Sequence, residues 1–157
     1  MTSKEIKIAY TEYASLDELE PKDKELAQAA IDATAQAYAP YSKFNVGAAV
    51  LFEDGVIVKG SNQENAAYPS GLCAERTALF YASASRPDKA MVAISIAAVH
   101  NGELCETPAT PCGACRQVMA QYQLKSGLPM MVLLVGAHKR WKFEKIDDLL
   151  PLIFDSI

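Results

Sequence analysis

The chain has 157 residues, of which 50% are apolar and 22% are charged, and this composition is typical of a globular protein rather than a disordered one. Its length predicts one domain with a core large enough to fold without a disulfide scaffold. Fifteen Lys and Arg residues against nineteen Asp and Glu residues give a net charge of −4, which disfavours binding of a nucleic acid through bulk charge.

The N-terminal extension, residues 1–21, contains no apolar segment of the kind that forms a signal peptide. The longest apolar runs, at 91–99 and 129–137, are too short for a membrane-spanning helix, which needs about 20 residues. The sequence therefore predicts a cytoplasmic protein without membrane contact. In that compartment thiols stay reduced, so clustered cysteines indicate a metal site or catalysis more often than disulfides.

The predicted elements begin in the N-terminal extension, where apolar and polar residues alternate over Ile6–Tyr10 and fit either a short strand or an unpaired arm. An apolar stripe at spacings of three and four then predicts a helix over 22–38. The remaining elements follow in this order: strands at 44–52 and 56–59 joined by an Asp54-Gly55 turn, a helix at 73–84, a buried strand at 91–99, a helix at 112–123, a strand at 130–135, an edge strand at 141–143 and a short helix at 146–150. Because strands alternate with helices, we expect residues 22–157 to form one three-layer α/β/α domain around a central mixed sheet of about five strands.

Cys112 and Cys115 form a C-x-x-C motif, which by itself indicates either a redox dithiol or half of a zinc site. Cys73, 39 positions upstream, favours the zinc site because it also stands at a predicted helix start and can supply a third sulfur. Three thiolates that leave a fourth position open are typical of a catalytic zinc site. A structural site would need a fourth ligand, for which Cys105 is the candidate.

Glu75 stands two residues after Cys73, where a carboxylate can approach a metal-bound water without binding the metal. It is therefore predicted to take a proton from that water and to deliver protons to a substrate. Arg76 and Arg116 follow their cysteines closely. Each is predicted either to donate hydrogen bonds to sulfur or to form a surface ion pair.

Four segments resemble the small, homotetrameric cytidine deaminases. They are Tyr41–Ala49, Gly60–Tyr68, Cys73–Ala78 and Pro111–Gln117. Their order and spacing fit that family from about Lys22 to the C-terminus, and the zinc deaminases share a signature of three metal ligands and a non-ligand glutamate. The resemblance implies a Zn²⁺-dependent enzyme of pyrimidine salvage that hydrolyses cytidine and 2′-deoxycytidine to uridine and 2′-deoxyuridine, with release of ammonia.

By this resemblance, Cys73, Cys112 and Cys115 are the zinc ligands. Zinc-bound hydroxide attacks C4 of cytosine, and Glu75 acts as the proton shuttle. The resemblance also implies a homotetramer in which Phe154 inserts over the substrate of a neighbouring subunit.

Four further residues are implied at the substrate. Asn62 and Glu64 match the pair that holds the ribose hydroxyls, since an amide and a carboxylate can donate to and accept from a sugar hydroxyl. Phe44 matches the aromatic residue that packs near the pyrimidine. Ala74 matches the position whose backbone N–H meets the base.

Other functions stay open from the sequence. A deaminase of a nucleoside-like antibiotic of the blasticidin S type would share the zinc site and Glu75, but Asn62 and Glu64 favour an ordinary nucleoside. The acidic charge balance speaks against deamination of a polynucleotide. A non-catalytic zinc module would require Cys105 and not Glu75.

Overall fold

This computed structural model describes residues 1–155 of the chain. In that part of the chain, seven strands form one mixed β-sheet. The strands are β1 (Thr11–Tyr13), β2 (Phe44–Phe52), β3 (Ile57–Ser61), β4 (Met91–His100), β5 (Glu103–Leu104), β6 (Met131–Val135) and β7 (Arg140–Phe143). The helices are α1 (Pro21–Ala33), α2 (Ala74–Ser85) and α3 (Gly113–Ser126), with short 3₁₀ turns at Leu16–Glu18, Thr34–Gln36, Tyr68–Ser70 and Ile146–Asp148. In this part of the chain, no helix has the length and apolar character needed to cross a bilayer.

The strand order is β1-β7-β6-β4-β2-β3, and β5 pairs with the end of β4. β4 and β6 are parallel, whereas the other paired strands are antiparallel. A parallel pair needs a crossover connection, and α3 provides it. The predicted mixed sheet is confirmed, and it has seven strands rather than about five because the short strands β1 and β5 add to the five expected ones.

Helices cover both faces of this sheet, which confirms the three-layer α/β/α architecture. On one face, α1 packs through Leu26 and Ala30 against Ala49 of β2 and Leu133 of β6. On the other face, α2 and α3 bury their apolar side chains together against β2, β4 and β6. Because α2 and α3 share one face, the residues at their N-termini can meet at one edge of the sheet.

The N-terminal strand lies at Thr11–Tyr13, directly after the alternating segment Ile6–Tyr10, which has no regular secondary structure. β1 pairs with β7, and Trp141 Nε1 donates a hydrogen bond of 2.7 Å to the Glu12 carboxylate. Local alternation of apolar residues carries no information about a partner that lies 129 positions away in the chain. The first helix also differs from its predicted range, because it ends at Ala33 and tightens into a 3₁₀ turn instead of continuing towards residue 38.

Gly60 of β3 lets α2 approach the sheet closely. A Cβ atom at Gly60 would lie 2.5 Å from the backbone nitrogen of Ala78, which is shorter than real contacts allow. We therefore expect Gly60→Ala to push α2 outward and to lower the free energy of unfolding by about 1–3 kcal/mol, measured by urea denaturation. Gly113→Ala is the control, because its added Cβ meets nothing within 4 Å. Equal stability of the two variants would contradict this packing argument.

Candidate active site

Three cysteine sulfurs meet where α2 and α3 begin. Cys73 directly precedes α2, Cys112 directly precedes α3, and Cys115 lies in the first turn of α3. Their Sγ atoms all lie within 4.8 Å of one another, and those of Cys112 and Cys115 are 3.5 Å apart. Sulfurs that each bind one zinc ion at about 2.3 Å in a tetrahedron are about 3.8 Å apart, so this cluster fits a zinc ion. Cys105 lies outside the cluster, which disfavours a closed site of four cysteines.

One positive side chain, Arg76, contacts this cluster, and the three thiols differ in how readily they ionise. Arg76 Nη2 donates to Cys73 Sγ at 3.7 Å, and sulfur contact was one of the two alternatives predicted for this residue. Burial acts to raise the pKa of the Cys112 thiol, but hydrogen bonds with Cys115 and Cys73 outweigh it and lower that pKa. Burial and the nearby Glu75 charge raise the pKa of Cys115, so a cation is needed before all three sulfurs ionise together.

Glu75 is buried beside the sulfurs, with only 5% of its surface exposed. It lies in the first turn of α2, two residues after Cys73. Burial raises the pKa of its carboxyl group above the usual range. A carboxyl group in such surroundings can hold a proton nearer to neutral pH than an exposed one, as a general acid and base must.

A cleft of about 460 Å³ opens in front of the cluster. Seven of the residues predicted from the sequence line it: Phe44, Asn62, Glu64, Cys73, Ala74, Glu75 and Cys112. A second cleft of about 610 Å³ shares Ser42, Asn62, Glu64 and Cys73 with the first and extends past Tyr68 and Arg76. The fold therefore brings together side chains from β2, from the segment after β3 and from the starts of α2 and α3.

Asn62 and Glu64 lie in the segment that follows β3 and are both tied to the start of β2. Asn62 Nδ2 donates to the Phe44 carbonyl at 2.9 Å, and Asn62 Oδ1 accepts from the Val46 N–H at 2.8 Å. Glu64 Oε2 accepts from the backbone N–H groups of Tyr41 and Ser42. Hydrogen bonding with Ser42 contributes most to lowering the pKa of the Glu64 carboxyl, so this group stays ionised at neutral pH.

The structure corrects the prediction for Arg116, which within residues 1–155 forms neither a sulfur contact nor a surface ion pair. Its guanidinium instead donates from Nε to the Pro111 carbonyl and from Nη1 to the Leu149 carbonyl, both at 2.8 Å.

Phe154 does not line either cleft of its own chain and is 67% exposed.

Five further residues line the smaller cleft and were not predicted from the sequence as site residues. They are Ser42, Val46, Ile96, Ala109 and Thr110. Val46 could have been predicted, because residues two apart on a strand face the same side and Phe44 was expected to pack near the pyrimidine. Ile96 lies on β4 and reaches the cleft because β4 pairs with β2. The local sequence does not indicate that pairing.

Comparisons with known proteins agree with this geometry. Residues 20–130 match the family model described as the cytidine and deoxycytidylate deaminase zinc-binding region. A cytidine deaminase of Halalkalibacterium halodurans is 52% identical over 97 residues, which are 61% of this chain and 68% of that protein. A cytidine deaminase of Mycobacterium tuberculosis is 42% identical over 93 residues, or 59% of this chain and 65% of that protein.

Solved structures give the same result. The crystal structure of cytidine deaminase from Burkholderia pseudomallei superposes with a TM-score of 0.69 at 41% identity, covering 83% of this chain and 97% of that one. The cytidine deaminase of Mycobacterium tuberculosis superposes with a TM-score of 0.67 at 32% identity, covering 87% of this chain and 100% of that one. Together with the zinc-binding family model and the three-cysteine cluster, these matches identify Zn²⁺ as the cofactor. The chain belongs to the family of cytidine and deoxycytidylate deaminases.

Proposed function

We propose that the protein is a zinc-dependent cytidine deaminase, which adds water to cytidine or 2′-deoxycytidine and releases uridine or 2′-deoxyuridine and ammonia in pyrimidine salvage. The observation that carries this proposal is the buried Glu75 carboxyl beside three clustered thiols in a cleft. Residues 22–157 are proposed to form the deaminase domain, and residues 1–21 an extension that contributes β1 to the sheet.

Cys73, Cys112 and Cys115 are the residues that would hold the zinc ion. When bound, zinc lowers the pKa of a coordinated water and so supplies a nucleophile at neutral pH. Arg76, through its bond to Cys73 Sγ, would offset the excess negative charge of three thiolates.

Glu75 would move the protons of the reaction. Its carboxylate accepts a proton from the attacking water and gives it to N3 of the pyrimidine. It then carries the second proton from the added hydroxyl to the amino group at C4, which leaves as ammonia. The raised pKa of Glu75 suits this work, because a group that alternates between acid and base works best with a pKa near the working pH.

Phe44 and Ala74 would orient the base. The Phe44 ring forms a wall of the cleft and packs on His100 with ring centroids 6.0 Å apart. Ala74 is the first residue of α2, so its backbone N–H has no acceptor within the helix and can donate to the pyrimidine.

Asn62 and Glu64 would hold the sugar. The bonds from Tyr41 and Ser42 both use Oε2 of Glu64, which leaves Oε1 to accept from a ribose hydroxyl. The Asn62 amide keeps one hydrogen and one lone pair beyond its two bonds to β2. Because the backbone contacts fix both side chains before substrate arrives, sugar binding costs little side-chain entropy.

The experiment that tests this function follows the loss of cytidine absorbance together with the zinc content of the purified protein. We expect turnover of cytidine and 2′-deoxycytidine by protein that contains zinc. Blasticidin S serves as the comparison substrate and should not be turned over. Turnover of blasticidin S without turnover of cytidine would contradict the proposal and favour the antibiotic deaminase.

We also propose that the enzyme acts in the cytoplasm as a homotetramer in which Phe154 covers the substrate of a neighbouring subunit. The exposure of the Phe154 ring supports this, as does the bond that Gln117 Nε2 donates to the Phe154 carbonyl at 2.7 Å, which anchors the backbone.

Phe154→Ala is expected to raise the KM for cytidine roughly 2- to 10-fold, because an aromatic contact contributes about 0.5–1.5 kcal/mol. Leu152→Ala, in the same segment and 80% exposed, is the control and should leave the KM unchanged. Steady-state kinetics with sizing chromatography measure both effects. A fully active monomer, or an unchanged KM for Phe154→Ala, would contradict this assembly.

A further inference from the structure

The C-terminal segment, residues 146–154, lies along α3 and runs in the opposite direction. Near the end of α3, Gln123 Oε1 accepts from the Ile146 N–H at 3.2 Å. Near its start, Arg116 donates to the Leu149 carbonyl and Gln117 to the Phe154 carbonyl. The segment therefore reaches the same helical turn that carries Cys115.

Arg116 connects this segment to the chain around Cys112. Its backbone N–H donates to the Cys112 carbonyl at 3.0 Å, and its Nε donates to the carbonyl of buried Pro111 at 2.8 Å. The peptide groups on both sides of the Cys112 Cα are thus bonded to one residue. Its Nη1 extends the connection to Leu149 at 2.8 Å.

Of the three clustered cysteines, Cys112 is the one whose position depends most on contacts from other residues. It precedes α3 and is exposed, whereas Cys115 is buried within the helix and Cys73 Sγ accepts from Arg76. A guanidinium holds its Nε–H and Nη1–H donors in one rigid plane, so two carbonyls bonded to it are held in a fixed arrangement. A lysine ammonium is a single flexible donor group and does not hold two carbonyls in this way.

We propose that Arg116 is a positioning residue for Cys112, which it holds in place for zinc by bridging the Pro111–Cys112 peptide to the Leu149 carbonyl. The C-terminal segment is therefore part of the support of the metal centre. This inference rests on the proposed function, since it takes Cys112 as a zinc ligand.

Arg116→Lys tests the bridge through the rate at which zinc passes to a chromogenic chelator, without substrate. We expect release about 10-fold faster or more, because losing a group that orients a metal ligand commonly costs 10- to 100-fold in affinity. Gln117→Ala is the matched control. It removes the neighbouring bond to the same segment but leaves the Pro111 and Leu149 contacts, so its release rate should equal that of the wild type.

Thermal unfolding with and without zinc separates positioning from general stability. A positioning role predicts that Arg116→Lys reduces the rise in Tm that zinc confers. An equal loss of Tm in both forms, an unchanged release rate, or a variant that stays unfolded even in excess zinc would overturn the inference. Zinc content of the wild type separates the two proposals: a wild type without zinc refutes the proposed metal site, whereas a zinc-loaded wild type with unchanged release from Arg116→Lys refutes only the bridge.

Discussion

Glu75→Gln is expected to remove cytidine turnover while zinc stays bound. Glutamine has nearly the same shape and can occupy the same buried position beside the sulfurs, but it cannot accept the water proton or deliver it to N3. Loss of a positioned acid and base typically costs about 10²–10⁴-fold in rate, and the loss should appear in kcat. Steady-state kinetics and metal analysis of the same preparation measure both properties.

Glu64→Gln is the matched control, because it makes the same chemical change in the same cleft. Glu64 is bonded to the backbone of Tyr41 and Ser42 and is proposed to hold the sugar, so this variant should raise the KM more than it lowers kcat. If Glu75→Gln retained the wild-type kcat, or if it lost zinc, the proposed role of Glu75 would be wrong.

Glu75→Gln is not expected to destabilise the folded protein in the absence of zinc. Since burial raises the pKa of Glu75 in the folded chain, the folded state binds this proton more tightly than the unfolded state does. Ionisation therefore costs folding free energy as the pH rises through the unfolded pKa towards the folded one. Glutamine avoids this cost, so the zinc-free variant should be at least as stable as the zinc-free wild type at neutral pH. Thermal unfolding of both zinc-free proteins checks this, and a lower Tm for the variant would indicate a structural role.

The sequence predicted most of the central elements, because their signals are local. The helices expected at 73–84 and 112–123 are present as α2 and α3, displaced by one to three residues at their ends. The long strands β2 and β4 also match their apolar runs. β1 lies just after Ile6–Tyr10, the segment for which a short strand and an unpaired arm both stayed open, because its position depends on the edge of β7, a partner far along the chain.

Arg76 and Arg116 make different contacts although they follow their cysteines at similar spacings. Arg76 follows Cys73 by three positions and Arg116 follows Cys112 by four, and both spacings place residues on one face of a helix. The two therefore appear equivalent in the sequence. The difference comes from Leu149, whose carbonyl lies against α3 and draws the Arg116 guanidinium away from sulfur. A contact between residues 33 positions apart has no local signal.

Cys115→Ser is expected to lose zinc and, with it, cytidine turnover. Cys115 is buried in the first turn of α3, and its sulfur is one of only three that cluster within residues 1–155. Even residues that merely orient a ligand commonly contribute 10- to 100-fold to metal affinity, so loss of a ligand should cost at least about 100-fold. Zinc content after dialysis against a weak chelator, with the initial rate of deamination, measures the effect.

Cys105→Ser is the matched control, because it changes another cysteine to serine outside the cluster. The Cys105 backbone bonds to Ala98 and Ala137, and these contacts do not need the thiol. We expect this variant to keep one zinc per chain and the wild-type rate. The opposite pattern, in which Cys105→Ser loses the metal while Cys115→Ser keeps it, would refute a three-cysteine site. It would also restore the structural zinc module as the explanation, since a closed site uses every sulfur for the metal and leaves no position for the attacking water.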